Sequence, residues 1–278
     1  MSQDDHIKYL NSDLNNLKID FKFNYLIHTA TYGQPKKVLE NRLETVLLNT
    51  QTLINLLEKC KEYKAKVLFL SSSSVYGEID KKHLPTSENH SGYLNSFDLG
   101  SLYAQSKRMA ELICKIYIES EVEISIARIA IAYGPGFKIG DKRFLNELIN
   151  QAMNSRRIIL QDKGQAKRQL NFITDCIEML LNIFINTNGE VYNIAGVFDE
   201  NQNRILDFAN TIGHLMNASV ELPKISDDSL NAQSIVNLDI SKYLSKFKKR
   251  SFVSLEEGLK LNIKWMKILK ERENELTK

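Results

Sequence analysis

The sequence predicts an α/β fold in which a doubly wound parallel sheet is followed by a smaller α/β lobe. In the first half of the chain, short apolar runs alternate with amphipathic stretches, the pattern of parallel strands joined by crossover helices. In the second half, longer helical segments are separated by short strands. With 278 residues, of which 43% are hydrophobic and 26% charged, the chain also has the composition of a globular protein.

Strands and helices alternate in the predicted sheet. Residues 25–28 and 67–70 are short, mostly apolar runs, typical of strands buried in a parallel sheet. Apolar residues recur at helical spacing over 41–61, and a second helix is predicted over 101–119. The β-branched run at 124–129 is the next predicted strand. This order builds two successive strand-helix-strand steps.

The pattern changes after the Tyr-Gly-Pro-Gly segment at 133–136. We therefore predict a first domain at 1–133 and a smaller lobe at 134–278. The helices predicted in the lobe each carry a stripe of Leu, Ile, Phe or Met that is expected to face the core, and they cover 143–154, 174–185, 203–216 and 255–271.

Composition argues against several classes of function. The net charge is +3 and the basic residues are scattered apart from 246–250, which is the pattern of a solvated face, so no nucleic-acid partner is expected. Cys60, Cys114 and Cys176 form no CxxC or Cys/His cluster, so neither disulfides nor a metal site is expected, and a cytoplasmic location is predicted. No apolar run approaches the roughly 18 residues of a membrane span.

The strongest local signal is the pair Tyr103 and Lys107, one turn apart on one face of a predicted helix. A tyrosine has a pKa near about 10, and an adjacent ammonium favours the phenolate, so Tyr103 is a candidate base for a substrate hydroxyl. Ser72, at the end of a predicted strand, is a candidate to share that hydroxyl. The alternative is an ordinary exposed pair and a capping serine. The order of strand, serine run and helix favours the chemical interpretation.

Two segments resemble the catalytic motifs of the extended short-chain dehydrogenase/reductase family, the NAD-dependent epimerases and dehydratases of nucleotide sugars. Ser-Ser-Ser-Val-Tyr-Gly at 72–77 resembles the family's strand end, and Ser-Leu-Tyr-Ala-Gln-Ser-Lys at 101–107 resembles its Tyr-x-x-x-Lys helix. The resemblance implies a Rossmann-like fold and NAD as cofactor, with NADP as an open alternative. It also implies three catalytic residues, Ser72, Tyr103 and Lys107.

Other segments extend the resemblance to the cofactor site. Residues 26–30 resemble the strand that ends in His-Leu-Ala-Ala beside the adenosine, and Ser-Asp-Leu at 12–14 resembles a Gly-Asp-Leu segment near the adenine. On its own, a histidine at position 28 is most simply a core residue with satisfied hydrogen bonds. By this resemblance the cofactor contacts would be Asp13, Leu14, His28, Ala30, Asn49, Tyr103 and Lys107.

Segments of the second lobe resemble the family's substrate site. Residues 128–136 and 168–175 match two such segments, which implies a nucleotide-diphosphate sugar as partner. Arg168 is suited to clamp a phosphate, and Ser73 is implied to contact the substrate. Asp175 is more simply interpreted as the cap of the next helix. By role, 1–133 is then a partial NAD-binding domain and 134–278 the nucleotide-sugar lobe.

The sequence departs from the family in three places. Its first glycine is Gly33, so the glycine-rich phosphate fingerprint is absent. We therefore expect an N-terminally incomplete member of the family, whose sheet lacks its first strand-helix-strand unit. Ile131 stands where the family has an asparagine, and Val236 stands where it has an arginine.

These features together favour an NAD-dependent nucleotide-sugar 4-epimerase, or a closely related oxidoreductase, if the missing segment is supplied. Family members that dehydrate or decarboxylate sugars carry an acid at the positions of Ser73 and Ser74, which are serines here. The alternatives are a non-catalytic or truncated member that acts as a scaffold and, among enzymes, an NAD(P)H-dependent 4-ketosugar reductase or a dehydratase or decarboxylase. A homodimer through the helices at 41–61 and 101–119 is implied. The sugar, the nucleotide and the choice of NAD or NADP stay open.

Overall fold

A computed structural model describes residues 7–17, 19–137, 140–223 and 235–276. The chain forms two compact units. The first unit consists of the described residues up to Phe69 together with Asn95–Ile124, and the second consists of Leu70–Leu94 and the described residues from Ser125 onward. The assignment of 1–133 to cofactor binding and of 134–278 to nucleotide-sugar binding stays a prediction.

The first unit contains a parallel strand pair with helices around it. Strand β1 (Tyr25–His28) pairs with β2 (Lys66–Ser72) in a register that matches Tyr25 with Lys66 and His28 with Phe69. The backbone N–H of Val67 donates to the carbonyl of Glu123, the residue before strand β3 (Ile124–Ile129). The elements of this unit are β1 (Tyr25–His28), α1 (Pro35–Glu40), α2 (Arg42–Asn49), α3 (Gln51–Tyr63), the first part of β2 (Lys66–Ser72), α4 (Leu102–Glu119) and the start of β3 (Ile124–Ile129).

The helix predicted over 41–61 is two helices in the structure. Thr50, with φ −124° and ψ −86°, lies outside the helical region and separates α2 from α3. Helix α4 is continuous and contains neither glycine nor proline. Its buried face includes Ala104, Lys107, Ala110 and Cys114. The lysine of the predicted pair therefore points to the interior.

The second unit combines short parallel strand pairs with amphipathic helices. The strands pair in parallel: β3 with β8 (Val191–Ile194), β4 (Ile131–Tyr133) with β7 (Leu170–Phe172), β5 (Arg157–Ile159) with β9 (Ser219–Glu221), and β6 (Lys167–Arg168) with β10 (Ile235–Val236). Its further elements are β4 (Ile131–Tyr133), α5 (Phe144–Ser155), β5 (Arg157–Ile159), β6 (Lys167–Arg168), β7 (Leu170–Phe172), α6 (Ile173–Asn186), β8 (Val191–Ile194), α7 (Ile205–Met216), β9 (Ser219–Glu221), β10 (Ile235–Val236), α8 (Ser241–Lys246) and α9 (Leu255–Leu276).

The core of the second unit is formed by the apolar stripes that the sequence predicts. Buried residues of α5, α7 and α9 form one core cluster that also contains Ile158 of β5, and they include Ile149, Phe208, Ile212 and Leu259. Parallel pairing with intervening helices confirms the predicted α/β, Rossmann-like class. No helix within the described ranges is both long and apolar enough to cross a bilayer.

Candidate active site

Lys107 is a buried cation next to an aromatic ring. Its side chain is 1% exposed, and its Nζ lies 4.6 Å from the ring centroid of Phe69 on β2. Burial lowers the pKa of Lys107 to about 8, although the charge of Glu111 acts in the opposite direction. The contact with the ring stabilises the ammonium. At neutral pH this group still carries its positive charge, one helical turn after Tyr103.

His28, at the carboxyl end of β1, is buried but not satisfied. It is 2% exposed, and neither Nδ1 nor Nε2 has a hydrogen-bond partner. Burial, followed by the charge of Lys107, lowers the pKa of His28 to about 4, so the ring is neutral at pH 7. Its ring centroid lies 5.5 Å from that of Phe69. The interpretation as a satisfied core histidine is therefore wrong.

Asn49 connects the end of α2 to the turn of α4 that carries Tyr103. It is fully buried, and its Nδ2 donates to the Thr45 carbonyl at 2.9 Å and to Ser106 Oγ at 3.2 Å. Ser106 Oγ donates in turn to the carbonyl of Tyr103 at 2.9 Å. Asn49 Oδ1 is buried without a partner. The residue therefore holds α4 in place and keeps one acceptor unused.

Two cavities of the first unit collect most of the predicted cofactor residues. One, of about 320 Å³, is lined by Leu14, His28 and Ala30 among mainly apolar neighbours. Asp13 caps the short 3₁₀ turn that begins at Leu14, where its carboxylate accepts from Asn15 N–H at 3.0 Å. The other, of about 240 Å³, is lined by Tyr103 together with residues of α1 and the turn before α4.

These groups fit one side of a dinucleotide. The unpartnered atoms of His28 and Asn49 are buried hydrogen-bonding positions of the kind that a polar ligand satisfies, and the charge of Lys107 acts on His28. The sequence contains no glycine-rich turn for the pyrophosphate. Within the described part of the chain, no cluster of three or more metal-ligating side chains is present.

In the second unit, Ser72 is the last residue of β2, and Ser73 and Ser74 begin the 3₁₀ helix that follows it. Ser72 caps the 3₁₀ helix that spans Ser73–Tyr76, and its Oγ accepts from Ser74 N–H at 3.2 Å. Ser74 Oγ is buried without a partner. The capping role does not use the hydroxyl proton of Ser72, which stays available to a ligand.

A buried amide, which the sequence did not identify as a site residue, organises the segment after these serines. Asn193 on β8 donates from Nδ2 to the carbonyls of Thr86 and Asp239, both at 2.9 Å, and Tyr76 donates to its Oδ1 at 2.6 Å. Burial raises the pKa of Tyr76 to about 12, so this donor keeps its proton. This role has no local signal in the sequence, because Tyr76, Thr86 and Asp239 all lie far from Asn193 along the chain.

Arg168 lies on β6, and the register places Val236 of β10 directly opposite. Its backbone N–H donates to the Asn203 carbonyl, and Asn203 Nδ2 donates back to the Arg168 carbonyl at 2.9 Å. Burial lowers the pKa of Arg168 from its usual value, but a guanidinium keeps its charge. The position at which the family keeps a second arginine is therefore adjacent to the first one.

The interpretation of Asp175 as a helix cap is wrong. Asp175 lies in the first turn of α6, where the cap residue is Phe172. Its carboxylate accepts from Val253 N–H at 2.9 Å and pairs with Lys249 Nζ at 2.8 Å. Lys249 has a side chain that is only 3% exposed, so the cluster at 246–250 is not purely a solvated face.

The sequence model of the NAD dependent epimerase/dehydratase family matches residues 6–195. UDP-glucuronic acid decarboxylase 1 of Xenopus tropicalis is 28% identical over 243 residues, which are 87% of this chain and 56% of the relative. UDP-glucuronic acid decarboxylase 3 of Arabidopsis thaliana is 28% identical, over 85% of this chain and 68% of the relative. The chain thus spans little more than half of the Xenopus protein.

Solved structures agree with the sequence comparison. The UDP-glucuronic acid 4-epimerase of Bacillus cereus, in complex with NAD, has a TM-score of 0.72 and 27% identity and covers 93% of this chain and 78% of its own. An epimerase of Methanothermobacter thermautotrophicus has a TM-score of 0.78 at 21% identity, over 90% and 73% of the two chains, and supports the fold. The chain belongs to the NAD-dependent epimerase/dehydratase family of extended short-chain dehydrogenases/reductases.

Proposed function

We propose that this chain acts on a nucleotide-diphosphate sugar by NAD-dependent 4-epimerisation, and that the sugar is a uronic acid. The relatives with 27–28% identity named above are enzymes whose names specify UDP-glucuronic acid. The proposal for the site is Tyr103 as base, Lys107 as its electrostatic helper and Ser72 as the group that orients the sugar hydroxyl.

The observation that carries this proposal is the burial of Lys107. A lysine that served only as an exposed partner of Tyr103 would be solvated, whereas this ammonium is 1% exposed and its pKa is lowered to about 8 by burial. Keeping a desolvated charge one turn after a tyrosine lowers stability. That cost is explained if the charge acts on the phenol.

The proposed chemistry of the chain's own residues is a proton transfer. The charge of Lys107 favours the phenolate of Tyr103, which takes the proton from the hydroxyl at the carbon that is oxidised and later returns it. Ser72 donates or accepts a hydrogen bond at the same oxygen. NAD, when bound, supplies the hydride chemistry at that carbon. His28 and Asn49 would hold the cofactor, together with Asp13, Leu14 and Ala30.

Recognition of the substrate is assigned to the second unit. Arg168 supports binding of a diphosphate, because a guanidinium binds phosphate oxygens in a bidentate manner. Val236 opposite it leaves a single arginine at this strand pair. Ser73 is proposed to contact the sugar.

Decarboxylation is the second candidate, because the Xenopus and Arabidopsis relatives are decarboxylases by name. Ser73 and Ser74 favour epimerisation, since neither offers the acid that decarboxylating members carry there. The two candidates differ in product. Carbon dioxide and a pentose nucleotide would indicate decarboxylation, and an isomer of equal mass would indicate epimerisation.

A cytoplasmic homodimer completes the proposal. Leu43 on α2 is 67% exposed and Leu112 and Ile116 on α4 are each 56% exposed, which gives the first unit an apolar surface suited to a second copy. Cys60, Cys114 and Cys176 are buried free thiols, as expected in a reducing compartment.

The test is turnover of UDP-glucuronic acid with added NAD, followed by chromatography and mass spectrometry. We expect an isomer of equal mass from the wild-type chain and a rate lowered at least about 10³-fold in Tyr103→Phe, because the base is removed. Tyr117→Phe, the same change on the same helix, is the matched control and should retain its rate. An undiminished rate in Tyr103→Phe, or no turnover of any nucleotide-diphosphate sugar by the wild-type chain, would contradict the proposal.

A further inference from the structure

The residue proposed as the base lines a cavity that the proposed proton transfer does not use. This Tyr103 cavity has a volume of about 240 Å³ and belongs entirely to the first unit. Among the described residues that line it, none is charged, and the phenol of Tyr103 is the only polar side chain. The other lining residues are Gly33, Pro35, Val38, Leu39, Leu99 and Gly100.

One wall of the Tyr103 cavity is formed by helix α1. The helix begins at Pro35, whose fixed φ suits the first helical position, and the N–H of Val38 donates to the Gln34 carbonyl at 3.0 Å. Val38 is 6% exposed, whereas Leu39 is 44% exposed. The wall is therefore formed before a ligand binds, and part of it is open to solvent.

Another wall is the turn before α4, Leu99–Ser101. The carboxylate of Asp98 accepts from Gly100 N–H at 2.9 Å, and the hydroxyl of Ser101 donates to the Asp98 carbonyl at 2.8 Å. These bonds fix the turn, while Leu99 is 52% exposed. A ligand group that covered the exposed leucines of both walls would remove apolar surface from water, which favours binding.

The apolar lining decides which part of a sugar can enter the cavity. A carboxylate or a hydroxyl would lose its hydrogen bonds with water, and among the lining side chains only the phenol of Tyr103 could replace them. A methyl group has no such cost and gains from burial. In a nucleotide-linked uronic acid, carbon 1 carries the diphosphate, carbon 6 is the carboxylate and carbon 4 carries the reacting hydroxyl. Carbons 2 and 3 are the positions left for an apolar substituent.

Resting on the proposed function, we infer that the Tyr103 cavity binds the methyl end of an acylamino group at carbon 2 or carbon 3 of the sugar. The substrate is then an N-acylated amino-uronic acid. Gly33 is the residue that determines this specificity, because a Cβ at its position would meet no heavy atom within 4 Å. The missing side chain leaves the space that the acyl methyl group fills, against Val38 and Leu39.

The test is a calorimetric titration of the whole chain, in the presence of NAD, with each of two nucleotides. One is UDP-glucuronic acid, and the other is its analogue with acetamido groups at carbons 2 and 3. We expect the wild-type chain to bind the analogue at least about tenfold more tightly, because one additional buried methyl group contributes a factor of this order. In Gly33→Leu, whose side chain would occupy the cavity, this preference should fall below about twofold.

A second variant has a matched control. Leu39→Ser removes apolar surface from the cavity and should weaken binding of the analogue about threefold. Leu261→Ser, at a leucine on α9 that is 41% exposed and does not line the cavity, should bind both nucleotides as wild type. Gly33→Leu is expected to fold, because Gly33 lies outside the left-handed region, and its circular dichroism spectrum is compared with that of wild type.

Three results would overturn the inference: equal affinity of the wild-type chain for the two nucleotides, binding of neither, or an undiminished preference in Gly33→Leu. Turnover is measured in the same samples by mass spectrometry. Tighter binding of the analogue without turnover of either nucleotide would refute the proposed function alone. Turnover of both nucleotides with equal affinity would refute this inference alone.

Discussion

Two buried asparagines, one in each unit, are used in different ways. Asn193 in the second unit and Asn49 in the first are both 0% exposed. The side chain of Asn193 has partners at both its amide nitrogen and its oxygen, whereas Asn49 Oδ1 and both ring nitrogens of His28, in the same unit as Asn49, have none. A buried polar group without a partner costs about 1–3 kcal/mol. The Asn193 cluster therefore stabilises the fold, and the first-unit cluster keeps polar atoms at the expense of stability.

The largest expected loss of stability follows from removal of the Asn193 side chain, whose nitrogen and oxygen are both hydrogen-bonded. Asn193→Ala removes three hydrogen bonds and leaves the carbonyls of Thr86 and Asp239 and the hydroxyl of Tyr76 without this partner. We expect the free energy of unfolding in urea to fall by about 3 kcal/mol. The exposed Asn186 provides the control, because Asn186→Ala should stay within about 0.5 kcal/mol of wild type. A loss below about 1 kcal/mol for Asn193→Ala would remove the contrast between the clusters.

Removing the charge of Lys107 should change the free energy of unfolding in the opposite direction, by raising it. The pKa of Lys107 is lowered from 10.5 to about 8 in the folded state, so the unfolded chain binds the proton more tightly. The loss of stability that burial of the ammonium causes is therefore fully present below pH 8. Lys107→Met should therefore raise the free energy of unfolding at pH 7 by about 2 kcal/mol, after the lost contact with Phe69 is subtracted. This gain should shrink as the pH rises from 8 towards 10.5. A variant that is less stable than wild type at pH 7 would show that the ammonium is a structural group.

His28 should make the wild-type chain sensitive to acid. The pKa of His28 is lowered from 6.5 to about 4 in the folded state, so the unfolded chain takes up a proton more readily than the folded chain does. The free energy of unfolding is therefore highest above pH 6.5 and falls as the pH drops towards 4. By pH 5 we expect a loss of about 2 kcal/mol that His28→Phe abolishes. His214→Gln, at an exposed histidine, should keep the loss. Equal acid profiles for wild type and His28→Phe would rule out this role.

Much of the fold was predictable because local patterns determine it. The strands at 25–28 and 124–129 have the predicted bounds, and the helices α5, α6 and α7 lie within two residues of theirs. The break at Thr50 was not predicted, because the apolar spacing continues through it. The pairing of Asp175 with Lys249 joins residues far apart in sequence, and such contacts leave no periodic signal.

The candidate site was predictable in part for the same reason. The spacing of Tyr103 and Lys107 on a helix is local, so it was visible in the sequence. Whether Lys107 is solvated or buried depends on Phe69, which lies on a distant strand, and this fact carries the functional argument. Likewise, the residue type of His28 says nothing about whether its nitrogens have partners.

The most direct test of the central claim is a calorimetric titration of the wild-type chain with NAD. The claim is that the buried polar groups of the first unit are kept for a dinucleotide. It predicts saturable binding that Lys107→Met weakens at least about tenfold, while Lys115→Met, a change at a lysine that pairs with Glu119 on the exposed part of the same helix, has no effect. Absence of saturable binding, or equal affinity in Lys107→Met and wild type, would contradict it.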